Sequence, residues 1–267
     1  MRHSKQEGAV PPSILDHPTL SQRYFFPRRD APPSIFSVEC QDARLACAYV
    51  APHRNALTLV HFHGNGEVVA DSIPELAADL TALGVNVLFA EYRGYGASTG
   101  KPGMARILDD VPEIVKALSI PPNRLVAFGR SLGSLYAVEL VHRFPETPGL
   151  IIESGIADPL ERILLRVRPE ELGTTADELA AEVCARLDPQ PKLNAYLGPV
   201  LVLHAEDDSM VNAGHAVRNA GYAKHATLRL LPEGDHNNIF DENREEYLAA
   251  LAEFLKGIEK PSLGGRT

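Results

Sequence analysis

Cysteine is scarce in this sequence: Cys40, Cys47 and Cys184 are the three among 267 residues. An odd number cannot pair completely, and no C-x-x-C spacing occurs, which argues against a disulfide framework, a zinc site or redox chemistry. All three are expected to be reduced and to act as small buried apolar residues, although Cys40 and Cys47 could face each other across a hairpin. No apolar run approaches the roughly 18 residues of a membrane span, so no integral membrane segment is expected. Met1 to Gly8 is polar and the next residues are proline-rich, without the apolar core of about 7 residues that a secretory leader needs; the expected location is cytoplasmic. Blocks of like charge are missing too. The formal charge of −9 is spread along the chain, which favours solubility and gives no support to a nucleic-acid partner. No internal repeat is found, and oligomeric state is not legible.

What is present is a chain that is 45% hydrophobic, enough to bury one sizeable α/β core. Residues 1–34 hold repeated prolines and little periodicity, and read as an irregular arm carrying no chemistry. Ile35 to Cys40 and Leu45 to Val50 alternate as a hairpin, the antiparallel edge of a sheet. From there strands and helices alternate: strands at Ala56–Phe62, Val85–Glu91, Leu125–Phe128, Gly149–Glu153, Val200–His204 and Thr227–Leu231, with helices at Ile73–Leu83, Met104–Leu118, Ser134–His142 and Glu242–Lys256. That pattern predicts a mostly parallel sheet with helices on both faces, filling residues 35–259 and leaving 260–267 as a tail. Between about 155 and 196 the alternation stops. Helical fragments at Pro159–Val167 and Asp177–Leu187 take over, and their place in the chain predicts a lid.

The stretch Gly129-Arg-Ser-Leu-Gly133 breaks an apolar strand and starts a helix, which is the pattern of a nucleophile elbow around Ser131. Glycines two residues before and after leave room for the helix to pack on the strand. The elbow also sets the Leu132 N–H at a helix N-terminus, where it can meet an anion. A serine nucleophile needs a base, and the base needs an acid. In a parallel sheet the carboxyl ends of the strands share one rim, so both partners should follow strands. His236 meets that requirement; His215 falls within a helix, and His225 precedes a strand on the opposite rim. After Val200–His204 stand Glu206, Asp207 and Asp208; the spacing to Val211 selects Asp208, with Asp207 in reserve. The second oxyanion donor should come from His63-Gly-Asn-Gly-Glu67, with the Asn65 N–H preferred and Gly64 or Gly66 as substitutes.

With His-Gly-Asn-Gly at 63–66, Glu-Tyr-Arg-Gly-Tyr-Gly-Ala-Ser at 91–98, Gly-Arg-Ser-Leu-Gly at 129–133, Asp208-x-x-Val211 and Gly-Asp-His-Asn at 234–237, the chain resembles the α/β-hydrolase superfamily. The resemblance is to its serine-hydrolase branch of lysophospholipase-like and acyl-protein-thioesterase-like domains, and it runs from about Ile35 to Lys256. It implies the α/β-hydrolase fold, a Ser131, Asp208, His236 triad, and hydrolysis of a small-molecule ester or thioester without cofactor. The first loop departs from the frequent family form His-Gly-Asn-Ala-Gly by placing Gly66 and Glu67 there, and no proline follows Val211.

Gly94-Tyr-Gly96-Ala-Ser-Thr-Gly100 nearly matches a dinucleotide fingerprint, but the last glycine is one place late and Pro102 precedes the next helix, so a packing loop with Arg93 and Glu91 as structural partners is expected. His61 and His63 lie two apart on a strand, the spacing for a shared face. His61 is expected to be a hydrogen-bonded core histidine and no metal site is expected. Arg162, Arg166 and Arg168, interspersed with Glu161, Glu170 and Glu171, read as a solvated helix face rather than an anion site. Besides ester or thioester hydrolysis, the same triad could serve an acyltransferase, amidase or perhydrolase, or the fold could persist as a non-catalytic ligand-binding protein.

Overall fold

The apolar runs become the strands of one eight-stranded sheet in the computed structural model, which describes residues 13–259. The strands are β1 (Phe36–Cys40), β2 (Ala43–Val50), β3 (Thr58–Phe62), β4 (Asn86–Ala90), β5 (Leu125–Arg130), β6 (Gly149–Glu153), β7 (Val200–Ala205) and β8 (Ala226–Leu231), in the spatial order β1-β2-β4-β3-β5-β6-β7-β8. The hairpin β1–β2 and the pair β2–β4 are antiparallel, and all other pairs are parallel. The helices are α1 (Pro18–Tyr24), α2 (Glu75–Ala82), α3 (Met104–Leu118), α4 (Gly133–Arg143), α5 (Pro159–Leu164), α6 (Ala176–Arg186), α7 (Pro189–Ala195), α8 (Gly214–Tyr222), α9 (Ile239–Glu242) and α10 (Arg244–Glu259).

Neighbouring residues of a strand face opposite sides of a sheet, so a sheet covered on both faces must be apolar at every position. Accordingly β3, β4, β6 and β7 are buried throughout. Val60, Leu88, Ala127, Ile152 and Val202 join the core under α3, α4, α7 and the insertion helices. Leu59, Val87, Val126, Ile151 and Leu201 join a second core with Leu80 of α2 and Tyr247, Leu251 and Leu255 of α10.

The N-terminal segment differs from the irregular arm expected of it. Pro18 opens α1 at a position where its missing N–H costs nothing, and the His17 side chain caps the helix by accepting from Thr19 N–H. Leu15, Leu20, Tyr24 and Phe25 then enter the core. Residues 1–12 and the tail 260–267 lie outside the described residues. The cysteines also depart from expectation. Cys47 is buried, but Cys40 is intermediate and Cys184 exposed. Within the hairpin Cys47 stands opposite Phe36 and Cys40 opposite Ala43, so the two thiols are not cross-strand partners.

His61 is not hydrogen-bonded as expected. It stands in register between Phe89 of β4 and Phe128 of β5, edge-on to both rings at 5.4 and 4.8 Å. Its Nδ1 has no hydrogen-bond partner among the described residues. Burial pushes its pKa down to about 3, with His63 and Arg130 adding to the effect. The unfolded chain therefore binds this proton near pH 6.5 while the folded chain stays neutral until about pH 3. The associated stability is complete above pH 6.5 and is lost as pH falls through that window, by about 2 kcal/mol between pH 6.5 and 5. His61→Phe is expected to remove this part of the acid sensitivity. Urea unfolding of both proteins at pH 7.5, 6.5 and 5 checks it, and an unchanged pH slope in the variant would contradict it.

Candidate active site

The sheet reverses its winding direction between β3 and β5, and in open α/β sheets binding crevices form beyond the carboxyl ends of strands at such a point. Phe62 is in register with Gly129, so the loop leaving β3 and the turn leaving β5 emerge side by side. Ser131 sits in that turn with φ of +52°, a left-handed conformation that a side-chain-bearing residue rarely takes. Its N–H donates to Glu153 O at 2.8 Å, and the Ser134 hydroxyl, which donates to Ser131 O at 2.6 Å, also accepts from Ile156 N–H at 3.0 Å. A Cβ on Gly129 would collide with the backbone of Gly133 and Ser134, and one on Gly133 with the backbone of Phe62 and His63. Both glycines are thus required by close approach of backbone to backbone.

Ser131 Oγ lies 2.9 Å from His236 Nε2, and His236 Nδ1 lies 2.7 Å from Asp208 Oδ2. All three side chains are buried. Of the three acids after β7, Asp208 is the one turned inward; Glu206 and Asp207 are exposed. Asp208 Oδ1 accepts from Met210 N–H at 2.9 Å and Val211 N–H at 2.7 Å, and His204 Nε2 stands 3.3 Å from Oδ2. Burial pushes the Asp208 carboxyl up. The bonds from His204, His236 and Val211 outweigh it and hold the carboxyl well below the usual carboxylate range. Asp235 ties the two loops together by accepting from Ser209 N–H at 2.7 Å, Ser209 Oγ at 2.6 Å and His236 N–H at 2.6 Å.

The N–H groups of Leu132 and Asn65 have no acceptor among the described residues, and both residues line the cavity at Ser131. Gly64 is different: its N–H donates to Glu67 Oε2 at 2.9 Å. The Asn65 side chain fastens its loop to the N-terminal segment, donating to Tyr24 O and accepting from Tyr95 Oη at 2.9 Å and Phe26 N–H at 3.2 Å. Behind the loop, His63 places Nε2 2.8 Å from Glu91 Oε1 and Nδ1 2.8 Å from Gly64 O. Burial disfavours its charge, but those acceptors raise its pKa overall, because an imidazolium can donate to both. No group of three potential metal ligands occurs among the described residues.

Arg130, an unspecified position of the elbow pattern, joins these loops. Its guanidinium pairs with Glu67 Oε1, lies 3.2 Å from Glu153 Oε1 and donates to His236 O at 2.7 Å. Glu153 Oε2 accepts from Tyr247 Oη at 2.6 Å. Thus Glu67, at the position where this loop departs from the common form, is matched by a cation 63 residues away in sequence. The cation was visible in the sequence; the pairing was not. Arg93, by contrast, pairs with buried Asp110 of α3 at 2.5 and 2.8 Å, and Glu91 with His63, so these two serve the packing of the 94–100 loop through different partners.

A cavity of about 120 Å³ opens at Ser131, lined by Tyr24, Phe26, Asn65, Arg130, Leu132, Ile156, Arg162, Arg166, Met210, Val211, His236 and Asn237. Two expectations are corrected here. The N-terminal segment supplies part of the wall through Tyr24 and Phe26, and Arg162 and Arg166 face the cavity instead of forming a purely solvated surface.

Residues 53–195 match the family described as serine aminopeptidase, S33. The chain is 28% identical over 261 residues to alpha/beta hydrolase domain-containing protein 17C of Mus musculus, covering 94% of this chain and 76% of that protein. It is 26% identical over 222 residues to the uncharacterized protein YfhR of Escherichia coli (strain K12), covering 79% and 74%. Among solved structures, Est1E from Butyrivibrio proteoclasticus with ferulic acid bound matches with a TM-score of 0.69 at 19% identity, over 83% of this chain and 98% of that one. A monoacylglycerol lipase from Paleococcus ferrophilus matches with a TM-score of 0.63 at 19% identity, over 80% and 99%. At such identity the likeness is one of fold.

Proposed function

Because the chain belongs to the serine aminopeptidase S33 family of α/β-hydrolases, we propose that it hydrolyses a carboxylic ester or thioester of small acyl size through an acyl-enzyme on Ser131. The observation that carries this reading is the unbroken hydrogen-bonded chain Ser131 Oγ, His236 Nε2, His236 Nδ1, Asp208 Oδ2, at 2.9 and 2.7 Å. In this mechanism His236 takes the hydroxyl proton as Oγ attacks the carbonyl carbon. The Asp208 carboxylate, kept ionised by its donors, fixes the tautomer and steadies the imidazolium. The tetrahedral oxygen is met by the N–H groups of Leu132 and Asn65. Collapse passes the proton to the departing alcohol or thiol; His236 then activates water, and attack on the acyl carbon releases the acid. This completeness favours turnover over a purely ligand-binding role. In this reading the insertion at about 155–196 covers the site, with Ile156, Arg162 and Arg166 as its contribution to the cavity.

The cavity volume supports the small acyl size in this reading. Its 120 Å³ is well short of the roughly 300 to 1,000 Å³ of a drug-sized site. Methylenes that exceed that volume while staying within its buried walls must push on close-packed side chains. Across p-nitrophenyl esters from acetate to decanoate, kcat/KM is expected to peak at butyrate or below and to fall about tenfold or more by octanoate. A peak at octanoate or longer would refute the small-acyl assignment. The serine-hydrolase reading itself is tested with a fluorophosphonate probe and peptide mapping. Labelling of Ser131 with ester turnover is the expected result; labelling without it would move the assignment to amide cleavage or acyl transfer, and no labelling would favour ligand binding alone.

A further inference from the structure

The cavity at Ser131 is lined by three arginines, Arg130, Arg162 and Arg166, and by no carboxylate, in a chain whose formal charge is −9. Arg130 is neutralised by Glu67 and Glu153. Arg162 and Arg166 have no acidic partner among the described residues, although acidic residues surround them in sequence. Glu161 instead stands 3.8 Å from both Arg218 and His215, Asp158 3.7 Å from Arg218, and Glu171 pairs with Arg23 at 3.0 Å and Arg168 at 3.7 Å. Each nearby carboxylate that is paired is thus engaged elsewhere, and two permanent cations remain at the cavity wall. Arg166 is further placed by its guanidinium lying 5.5 Å from the centroid of the Phe26 ring. Both cations also act on the buried Tyr24 hydroxyl, whose pKa burial raises to about 12 while Arg162 and Arg166 pull it down.

Resting on the hydrolase reading above, we propose that Arg162 and Arg166 form an anion subsite that selects esters bearing an oxyacid group, carboxylate or phosphate, a few atoms from the scissile carbonyl. A guanidinium presents a fork of donors that matches either group, and like-signed charges on a low-dielectric wall concentrate the field on the cavity. The half-exposed setting makes this selection sensitive to ionic strength. Hydrolysis of such a substrate leaves the anionic group on the released acid or on the released alcohol, according to which side of the ester bears it.

The test compares kcat/KM for mono-p-nitrophenyl glutarate against p-nitrophenyl butyrate, and for 4-(butyryloxy)phenyl phosphate against phenyl butyrate. These pairs are measured in the wild type, the double variant Arg162→Gln/Arg166→Gln, and Arg168→Gln, whose side chain is exposed and outside the cavity. Comparison across proteins cancels the intrinsic reactivity of each ester. In at least one pair the charged-to-neutral ratio is expected to fall about tenfold in the double variant, the scale of one charge-assisted hydrogen bond. It should stay unchanged in Arg168→Gln, and should decline in the wild type as salt rises from 20 to 300 mM. A fall in the first pair places the anion on the acyl side, and in the second on the alcohol side. Equal ratios in wild type and double variant for both pairs would overturn the subsite while leaving the hydrolase reading intact. Absence of Ser131-dependent turnover of all four esters would overturn both.

Discussion

Ser131→Ala is expected to lower ester turnover by at least about 10⁴-fold and to abolish fluorophosphonate labelling. The substitution removes one oxygen whose hydrogen-bond partner is His236, while the backbone bonds that hold the turn, from Ser131 N–H and to Ser131 O, do not involve that side chain. The fold should therefore survive, and the loss can be read as chemistry. Asp208→Asn should come close to it, because an amide that accepts from Met210 and Val211 turns its NH₂ toward His236 and reverses the tautomer that the serine needs. Single-turnover kinetics and circular dichroism on both variants check this. A loss below tenfold for Ser131→Ala would mean that another group, such as water activated directly by His236, performs the attack.

Arg130→Met is expected to cost about 3 kcal/mol of folding stability, the lower part of the range for breaking one partner out of a buried ion pair, because Glu67 is partly solvated. Two carboxylates lose their common cation, and one of them, Glu153, is buried. Burial already pushes the Glu153 carboxyl up, with Arg130 and Tyr247 opposing it; without Arg130 that carboxyl becomes harder still to ionise. The same change frees the carbonyl of His236 and the loop that carries Asn65, since Glu67 then holds Gly64 N–H without support from β5. Misplacement of reacting groups by about 1 Å costs about 10² in rate, so kcat should fall by that order while KM changes less. Urea unfolding gives the first quantity and steady-state kinetics the second. The double variant Arg130→Met/Glu67→Gln should recover part of the stability, and a loss under 1 kcal/mol in Arg130→Met would show that the network is not structural.

The inner strands were legible in the sequence because they are covered on both faces and so appear as continuous apolar runs of the right length, ending at glycines or polar turns, whereas β1 alternates and β8 is largely exposed. Asp208 and His236 were reachable from the same information. Once strands are placed, a parallel sheet assigns every following loop to one rim, which leaves few acids and one suitable histidine. Other features were less accessible. Prolines that made the N-terminal segment look irregular include Pro18 at the first position of α1, where proline is favoured. The same signal at Asp188-Pro189 marks the start of α7. His61 looked like a polar group needing a partner, and its two phenylalanine neighbours belong to strands that adjoin it in space alone. The cavity wall was the least legible, since Tyr24, Met210 and the pair Ile156 and Arg162 come from three separate segments. No local periodicity relates them.

Asn65 joins two parts of the chain with different obligations. Its backbone stands at the sheet rim beside the elbow, and its side chain grips Tyr24 O and Phe26 N–H of the N-terminal segment. The Ser131, His236 and Asp208 side chains thus follow strands, whereas Tyr24, Phe26, Arg162 and Arg166 of the cavity wall belong to segments outside the sheet. The amide of Asn65 is therefore a point at which a shift of the N-terminal segment would be felt at the sheet rim.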